Sequence, residues 1–361
     1  MGLEPAGARD GSGDTWKLNG ARGTATTLGM KCLLPFLFAP AIVFAADPLP
    51  VFAPKVERLD PALDQVLAPG ANLEKIAEGY MWSEGPVWKD GSLLFSDVPD
   101  NKIYQWKPGG GAPKIFLQPS GGMEATAIIK SPGSNGLTLD AKGNLILCQQ
   151  GPRRVARLEA DGRQIPIADI YEGKHFSSPN DVIYASNGNL YFTDPPYGFE
   201  ELNDSPLKEL KFNGVFLVKP GGQVIAVIKD LTFPNGIALS PDEKTLYIGV
   251  SDPNAAKIYA YDVQADGTVA NRRVFFDATP LVSEQRAGLP DGMKIDRMGN
   301  MWTAGPGGIL IISPAGKHLG TLLTGQPTGN CAWGDDGSTL YVTANMFICR
   351  IKTLTKGAGW K

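Results

Sequence analysis

Six polar residues stand at comparable places along this chain: Glu84, Asn135, Asn180, Asn235, Asp291 and Asn330. Each carries a side-chain oxygen. Carboxylates and amide carbonyls are hard ligands, suited to Ca²⁺ or Mg²⁺ and acceptable to Mn²⁺. If a fold gathers them, Glu84 and Asp291 repel one another, and one divalent cation neutralises both. The amides add dipoles without charge and leave positions open for water and substrate. A zinc site of the usual His/Cys kind is disfavoured, because the only histidines are His175 and His318 and no cysteine pair has metal-ligand spacing. The sequence also lacks a G-x-S-x-G nucleophile elbow, an H-E-x-x-H motif and a Walker loop. His175, in Lys174-His175-Phe176-Ser177-Ser178, lies just before Asn180 and is a candidate for the same mouth. His318, in an Ala-Gly-Lys-His turn, reads as a surface residue.

What gathers such residues is a repeat. Each polar residue opens a segment with one layout: a small or polar residue, an apolar run, a turn and a second apolar run. Glu84-Gly85-Pro86-Val87-Trp88 leads through Asp90-Gly91 to Leu93-Leu94-Phe95, and Asn135-Gly136-Leu137-Thr138-Leu139 through Gly143-Asn144 to Leu145-Ile146-Leu147. Asn180-Asp181-Val182-Ile183, Asn235-Gly236-Ile237-Ala238-Leu239, Asp291-Gly292-Met293-Lys294-Ile295 and Asn330-Cys331-Ala332-Trp333 begin the other four. The spacing, roughly 40 to 55 residues, is the range in which propeller blades repeat. Further strand-like pairs fill the intervals, such as Lys102-Ile103-Tyr104-Gln105-Trp106 with Pro113-Lys114-Ile115-Phe116-Leu117. Four strands in each of six units predict an all-β, six-bladed β-propeller whose central channel binds a metal. An Asn-Gly pair alone marks a hairpin turn. Here the polar residue precedes the first strand of each unit, and the six side chains ring one channel mouth. The last unit lacks an outer strand after Phe347-Ile348-Cys349-Arg350-Ile351, and Leu73-Glu74-Lys75-Ile76-Ala77 is predicted to supply it.

Bulk properties agree. With 44 glycines and 29 prolines spread between short apolar runs, the chain has the punctuation of an all-β protein. A net charge of -3 without a basic stripe argues against a nucleic-acid partner. Nothing implies a protein partner. At the N-terminus, Met30-Lys31 precedes an apolar run from Cys32 to Ala46, too short for a bilayer span. With small residues at Val43 and Ala45 it reads as a signal peptide over 30–45, leaving no membrane segment after cleavage. Residues 1–29 read as a non-native or disordered extension upstream of a true start at Met30, residues 46–72 as a lead-in, and 73–361 as the propeller. Export, to the periplasm or beyond, leaves Cys148, Cys331 and Cys349, an odd number. All three read as small buried strand residues, with a Cys331–Cys349 bridge open in an oxidising compartment.

Taken together, Ser83-Glu84-Gly85-Pro86-Val87-Trp88, Ser178-Pro179-Asn180-Asp181-Val182, Tyr191-Phe192-Thr193-Asp194-Pro195-Pro196-Tyr197-Gly198, Phe233-Pro234-Asn235-Gly236-Ile237, Pro290-Asp291-Gly292-Met293 and Asn330-Cys331-Ala332 resemble the gluconolactonase / senescence-marker-protein-30 family. The resemblance runs from about Leu73 to Val342. It implies a calcium- or zinc-supported lactonase, with sugar lactones such as glucono-1,5-lactone as substrates. It implies Glu84, Asn235 and Asp291 as metal ligands, with Asn180 beside the substrate and sometimes on the metal. Asn180, Asn135 and His175 are then the substrate-facing candidates. The metal, Ca²⁺ first and Zn²⁺, Mn²⁺ or Mg²⁺ as alternatives, would polarise the lactone carbonyl and activate a water. Asp291 or neighbouring Asp181 would take the proton, and sequence leaves the choice open. Two departures from the family bear on the substrate: His175 where many bacterial relatives have Arg, and Gln149-Gln150 where they often have Glu-His. Two other functions fit the same scaffold: hydrolysis of other esters or organophosphates, and non-catalytic binding of a sugar or protein around structural calcium.

Overall fold

A computed structural model describes residues 54–360. The extension over 1–29 and the signal peptide over 30–45 lie outside the described residues. Six antiparallel sheets follow one another along the chain. Their innermost strands are Ser83–Lys89, Ser134–Leu139, Val182–Tyr184, Pro234–Leu239, Met293–Ile295 and Asn330–Gly334, and they define blades 1 to 6. These strands pack against one another in a ring. The predicted propeller is what forms. The ring closes as the sequence implied, because Glu74–Glu78 pairs with Phe347–Lys352 and completes blade 6.

The apolar runs lack strict alternation because both faces of every blade are covered. Side chains along a strand point to opposite faces. In Leu145–Gln149, Leu145 and Leu147 therefore join the core shared with blade 1, while Ile146 and Cys148 join that shared with blade 3. Six apolar clusters fill the six blade interfaces. At the blade 5–6 interface Trp302 meets Trp333 edge to face at 5.5 Å.

Within the lead-in over 46–72, the described residues include Lys55–Arg58, which adds a fifth strand to blade 5, and the 3₁₀ turn Pro61–Gln65, which buries Leu63 in the blade 5–6 core. One expectation is corrected. A Cys331–Cys349 bridge is ruled out by register. Cys331 pairs with Val342 and Val342 with Cys349, so a whole strand lies between them. Two strand spacings, about 9.5 Å, exceed the roughly 7 Å that a disulfide can span. All three described cysteines are free and buried.

Candidate active site

Five of the six ring residues sit where the inner strands deviate from regular pairing, and Asn330 in blade 6 pairs regularly with Thr343. In blades 1, 2 and 4 the register slips by one residue across Glu84/Val87, Ser134/Leu137 and Pro234/Ile237. Blades 3 and 5 show the same two-against-one pattern. The Asn180 amide donates to the Thr193 carbonyl and Thr193 donates back to Asp181, while Asp291 and Gly292 share Ala304 likewise. A bulge bends its strand and re-aims a side chain, and here it turns the polar residue into the channel.

The glycine that follows the ring residue in blades 1, 2, 4 and 5 has a packing reason. A Cβ at Gly136 would fall 2.5 Å from the Asn180 carbonyl oxygen, and one at Gly236 2.0 Å from that of Asp291. Without it, each blade's ring residue nests against the next blade. The Gly136 amide donates to the Asn180 carbonyl at 2.7 Å. Hydroxyls of the second strands fix the carbonyls of two other ring residues: Ser96 Oγ donates to Asn135 O at 2.9 Å and Thr193 Oγ1 to Asn235 O at 2.7 Å.

A cavity of about 460 Å³ opens above this layer, and Glu84, Asn135, Asn180, Asn235 and Asp291 line it together. The sequence-predicted ring is therefore assembled in five of its six members. Asn330 is buried beneath, where its Oδ1 accepts from Cys331 N and from Lys294 Nζ. Asp181 also lies below the cavity wall, with Oδ1 accepting from Val182 N at 2.9 Å and Oδ2 from Ile237 N at 3.3 Å. It occupies the place that glycine holds in blades 1, 2, 4 and 5, so its side chain fills the space under the ring. His175 is not brought to the site. It is exposed on the short Ile170–Tyr171/Lys174–His175 hairpin, where its backbone amide donates to Glu209. His318 is not in a turn but on the strand His318–Leu323, with Nε2 against Gly320 O and the ring against Phe276.

Electrostatically the mouth is under tension. Burial, then the charge of Asp181, pushes the Glu84 carboxyl up to about 7, against a donated bond from Gly85 N. Burial and then the Glu84 charge raise Asp291 well above the carboxylate range. Asp181 is raised by burial and relieved chiefly by Lys294. Asn235 donates from Nδ2 to Ser251 Oγ at 2.9 Å, but its buried Oδ1 has no hydrogen-bond partner. A buried acceptor left unpaired beside two mutually repelling carboxylates fits a cation. Among the described residues no three His, Cys, Asp or Glu side chains form a metal cage, so an ion here has to rest partly on amides.

Sequence reasoning gave no role to Trp82, Tyr197 or Ser251, which share the cavity wall, or to Lys294 beneath it. Tyr197 follows a Pro-Pro pair after a second strand, and that rigid turn was the available signal.

Comparison with known proteins agrees with this geometry. The family described as SMP-30/Gluconolactonase/LRE-like region matches residues 82–346. The chain is 40% identical over 311 residues to a gluconolactonase of Zymomonas mobilis, covering 84% of this chain and 87% of that one. It is 27% identical to a regucalcin of Xenopus laevis, covering 74% of this chain and 85% of that one. Among solved structures, the gluconolactonase XC5397 of Xanthomonas campestris superimposes with a TM-score of 0.72 at 29% identity, covering 86% of this chain and 99% of that one. Fold, bulged polar ring and sequence likeness converge, and the chain belongs to the SMP-30/gluconolactonase/LRE-like family.

Proposed function

We propose that the upper mouth of the channel hydrolyses a sugar lactone of the gluconolactone kind to its hydroxy acid, supported by a divalent cation. Lactone hydrolysis as the activity rests on the likeness to gluconolactonases over most of the chain. The cation rests on one observation above others: the buried, unpartnered Oδ1 of Asn235 on the cavity wall that Glu84 and Asp291 share. Glu84, Asn235 and Asp291 would hold the ion, with Asn180 at its edge. An all-oxygen set favours Ca²⁺, and Mg²⁺, Mn²⁺ or Zn²⁺ are the alternatives. When bound, such an ion supplies the positive charge that polarises a carbonyl and lowers the pKa of water.

The chain's own residues do the rest. Asn180 and Asn135 offer amides to the substrate's oxygens. Asp291 is the better base of the two aspartates, because it lies on the cavity wall and spends Oδ1 on Gly292 N, whereas Asp181 lies below with both oxygens on backbone amides. Asp291 Oδ2 takes the proton as the water oxygen bonds to the carbonyl carbon. It returns a proton to the ring oxygen as the ring carbon–oxygen bond breaks.

Acid release from glucono-1,5-lactone, corrected for spontaneous hydrolysis, tests the reading. Rapid catalysed release supports it, and a rate no faster than the uncatalysed one contradicts it. Export with a mature chain starting after Ala45 belongs to the same proposal, and N-terminal sequencing of the exported protein checks it.

A further inference from the structure

The two adjacent glutamines Gln149 and Gln150 are used in opposite ways. Gln149 is spent on structure. Its Nε2 donates to Ser120 O at 2.7 Å and to Gln164 Oε1 at 2.5 Å, and its Oε1 accepts from Arg154 Nε at 2.7 Å. Gln150 lines the cavity, is 1% exposed, and its buried Nε2 has no partner. Its backbone is anchored by a bond from its amide to Gly133 O. Its first side-chain carbon is wedged against Gly198, where an added Cβ would fall 3.0 Å from it and 2.9 Å from that of Ser178.

Gly198 follows Tyr197, a second unsatisfied donor on this wall. The Tyr197 hydroxyl is buried and makes no hydrogen bond of full geometry, with Ser251 and Asn235 near enough to be weak partners. The ring cannot swing away freely, because it stacks on Phe233 at 5.9 Å and 9°. Two donors are thus held by packing on this wall of the mouth, Gln150 Nε2 with no partner and Tyr197 OH with none of full geometry. Buried donors of this kind are destabilising unless something in the site accepts from them. Another stretch of the wall is apolar, made by Val98, Pro99, Leu289 and Pro327.

We infer that Gln150 Nε2 and Tyr197 OH form a specificity pair that reads oxygen substituents of the lactone. The substrate class is then a lactone that is hydroxylated on one edge and presents carbon and hydrogen on the other, not a plain aliphatic lactone. Gln150 and Tyr197 receive the hydroxylated edge, and the apolar residues receive the C–H face. The inference rests on the lactonase reading but is separate from the metal ligands.

The test compares kcat/KM for glucono-1,5-lactone with that for δ-valerolactone, which has the same ring without hydroxyls. Both substrates are run on the same preparations of the parent, Gln150→Met, Tyr197→Phe and the double variant. The ratio of the two constants is independent of how much of a variant is folded. The parent ratio should favour the hydroxylated lactone, and each single change should lower it by about tenfold, the worth of one hydrogen bond to a well-held donor. The double variant should lower it further. Parent activity on both lactones with a ratio unmoved in all three variants would overturn the inference while leaving the lactonase reading standing. No catalysed hydrolysis of either lactone by the parent would remove both.

Discussion

The two ends of the central channel are built from the same six strands and differ in nearly every other respect. The upper end carries the strand starts, with Glu84, Asn135, Asn180, Asn235 and Asp291 around an open cavity and three buried polar atoms, on Gln150, Tyr197 and Asn235, left unpaired. The lower end carries the same strands a few residues on, where Val87, Leu137, Val182, Ile237 and Trp333 make the wall apolar and Lys294 is the cationic side chain upon it. The C-terminal segment crosses this end: Ala358 N donates to Ile295 O, and Gly357 fits against the Trp333 ring, which an added Cβ would meet at 2.3 Å. Because every inner strand runs the same way, one propeller has a mouth with three unpaired polar atoms among carboxylates and amides, and a mouth that is mainly apolar, where the Trp333 indole nitrogen is the unpaired polar atom. Ligand chemistry belongs to the former.

The largest effect expected from breaking this contrast is at Asp291. Asp291→Asn keeps the shape but removes the charge that balances a cation. Turnover should fall by about a thousandfold, within the span lost with a general base, and calorimetry should show metal affinity collapsing with it. Asn180→Ala should keep most metal affinity and weaken turnover. Equal metal binding by Asp291→Asn and the parent would show that Asp291 is not a ligand.

Lys294 sharpens the comparison from beneath. Its ammonium offsets Asp181 and lies under the ring, where it opposes a second cation. Lys294→Met should therefore do the reverse of Asp291→Asn: metal affinity should rise by about threefold to tenfold, while the metal-free protein melts lower. This follows from the sign of the Coulomb interaction. Weaker metal binding in Lys294→Met would contradict the charge balance drawn for the two layers.

The pH dependence separates the mouths again. Glu84, ordinarily at 4.5, is pushed up to about 7, and Asp291 is raised with it. In the metal-free state the folded mouth therefore holds protons that the unfolded chain has released. The stability this confers is fully present below the unfolded value and is lost as pH rises through about 7. The melting temperature of chelator-treated protein should fall between about pH 5 and pH 8, and saturating Ca²⁺ should largely remove that fall, because the ion takes the protons' place. An equal slope with and without Ca²⁺ would place the ion elsewhere.

How much of this was visible in the sequence follows from where each residue sits. The blades were legible because their strands are covered on both faces, which writes continuous apolar runs such as Leu145 to Cys148. The ring was legible because the bulge recurs at the same point of most blades and is followed by glycine. The reason for that glycine, the neighbouring carbonyl 2.0 Å from where a Cβ would stand at Gly236, was not. Asp181 breaks the glycine pattern, and only the fold shows its carboxylate tucked below the cavity. Gln149-Gln150 stood out only as a departure from the family, and because Gln150 and Tyr197 follow second strands in loops that have no period, the sequence did not show which glutamine faces the cavity or that Tyr197 joins it. Lys55–Arg58 is a four-residue strand with one apolar residue, too short and too polar to be read as an edge of blade 5. His175 misled through its nearness to Asn180 in sequence, whereas the hairpin carries it outward.

The smallest effect should come from that histidine. His175→Ala should leave kcat within about threefold of the parent, as expected for an exposed surface change, because the base and the proposed ligands all lie on the cavity wall.

The central claim, that the upper mouth works only with a cation on Glu84, Asn235 and Asp291, is met most directly by titrating Ca²⁺ into chelator-treated protein. Heat and acid release from glucono-1,5-lactone are followed on the same samples. The account predicts negligible turnover at the start and one saturable step in which bound Ca²⁺ and activity rise together. Full turnover in protein verified to be metal-free would contradict it.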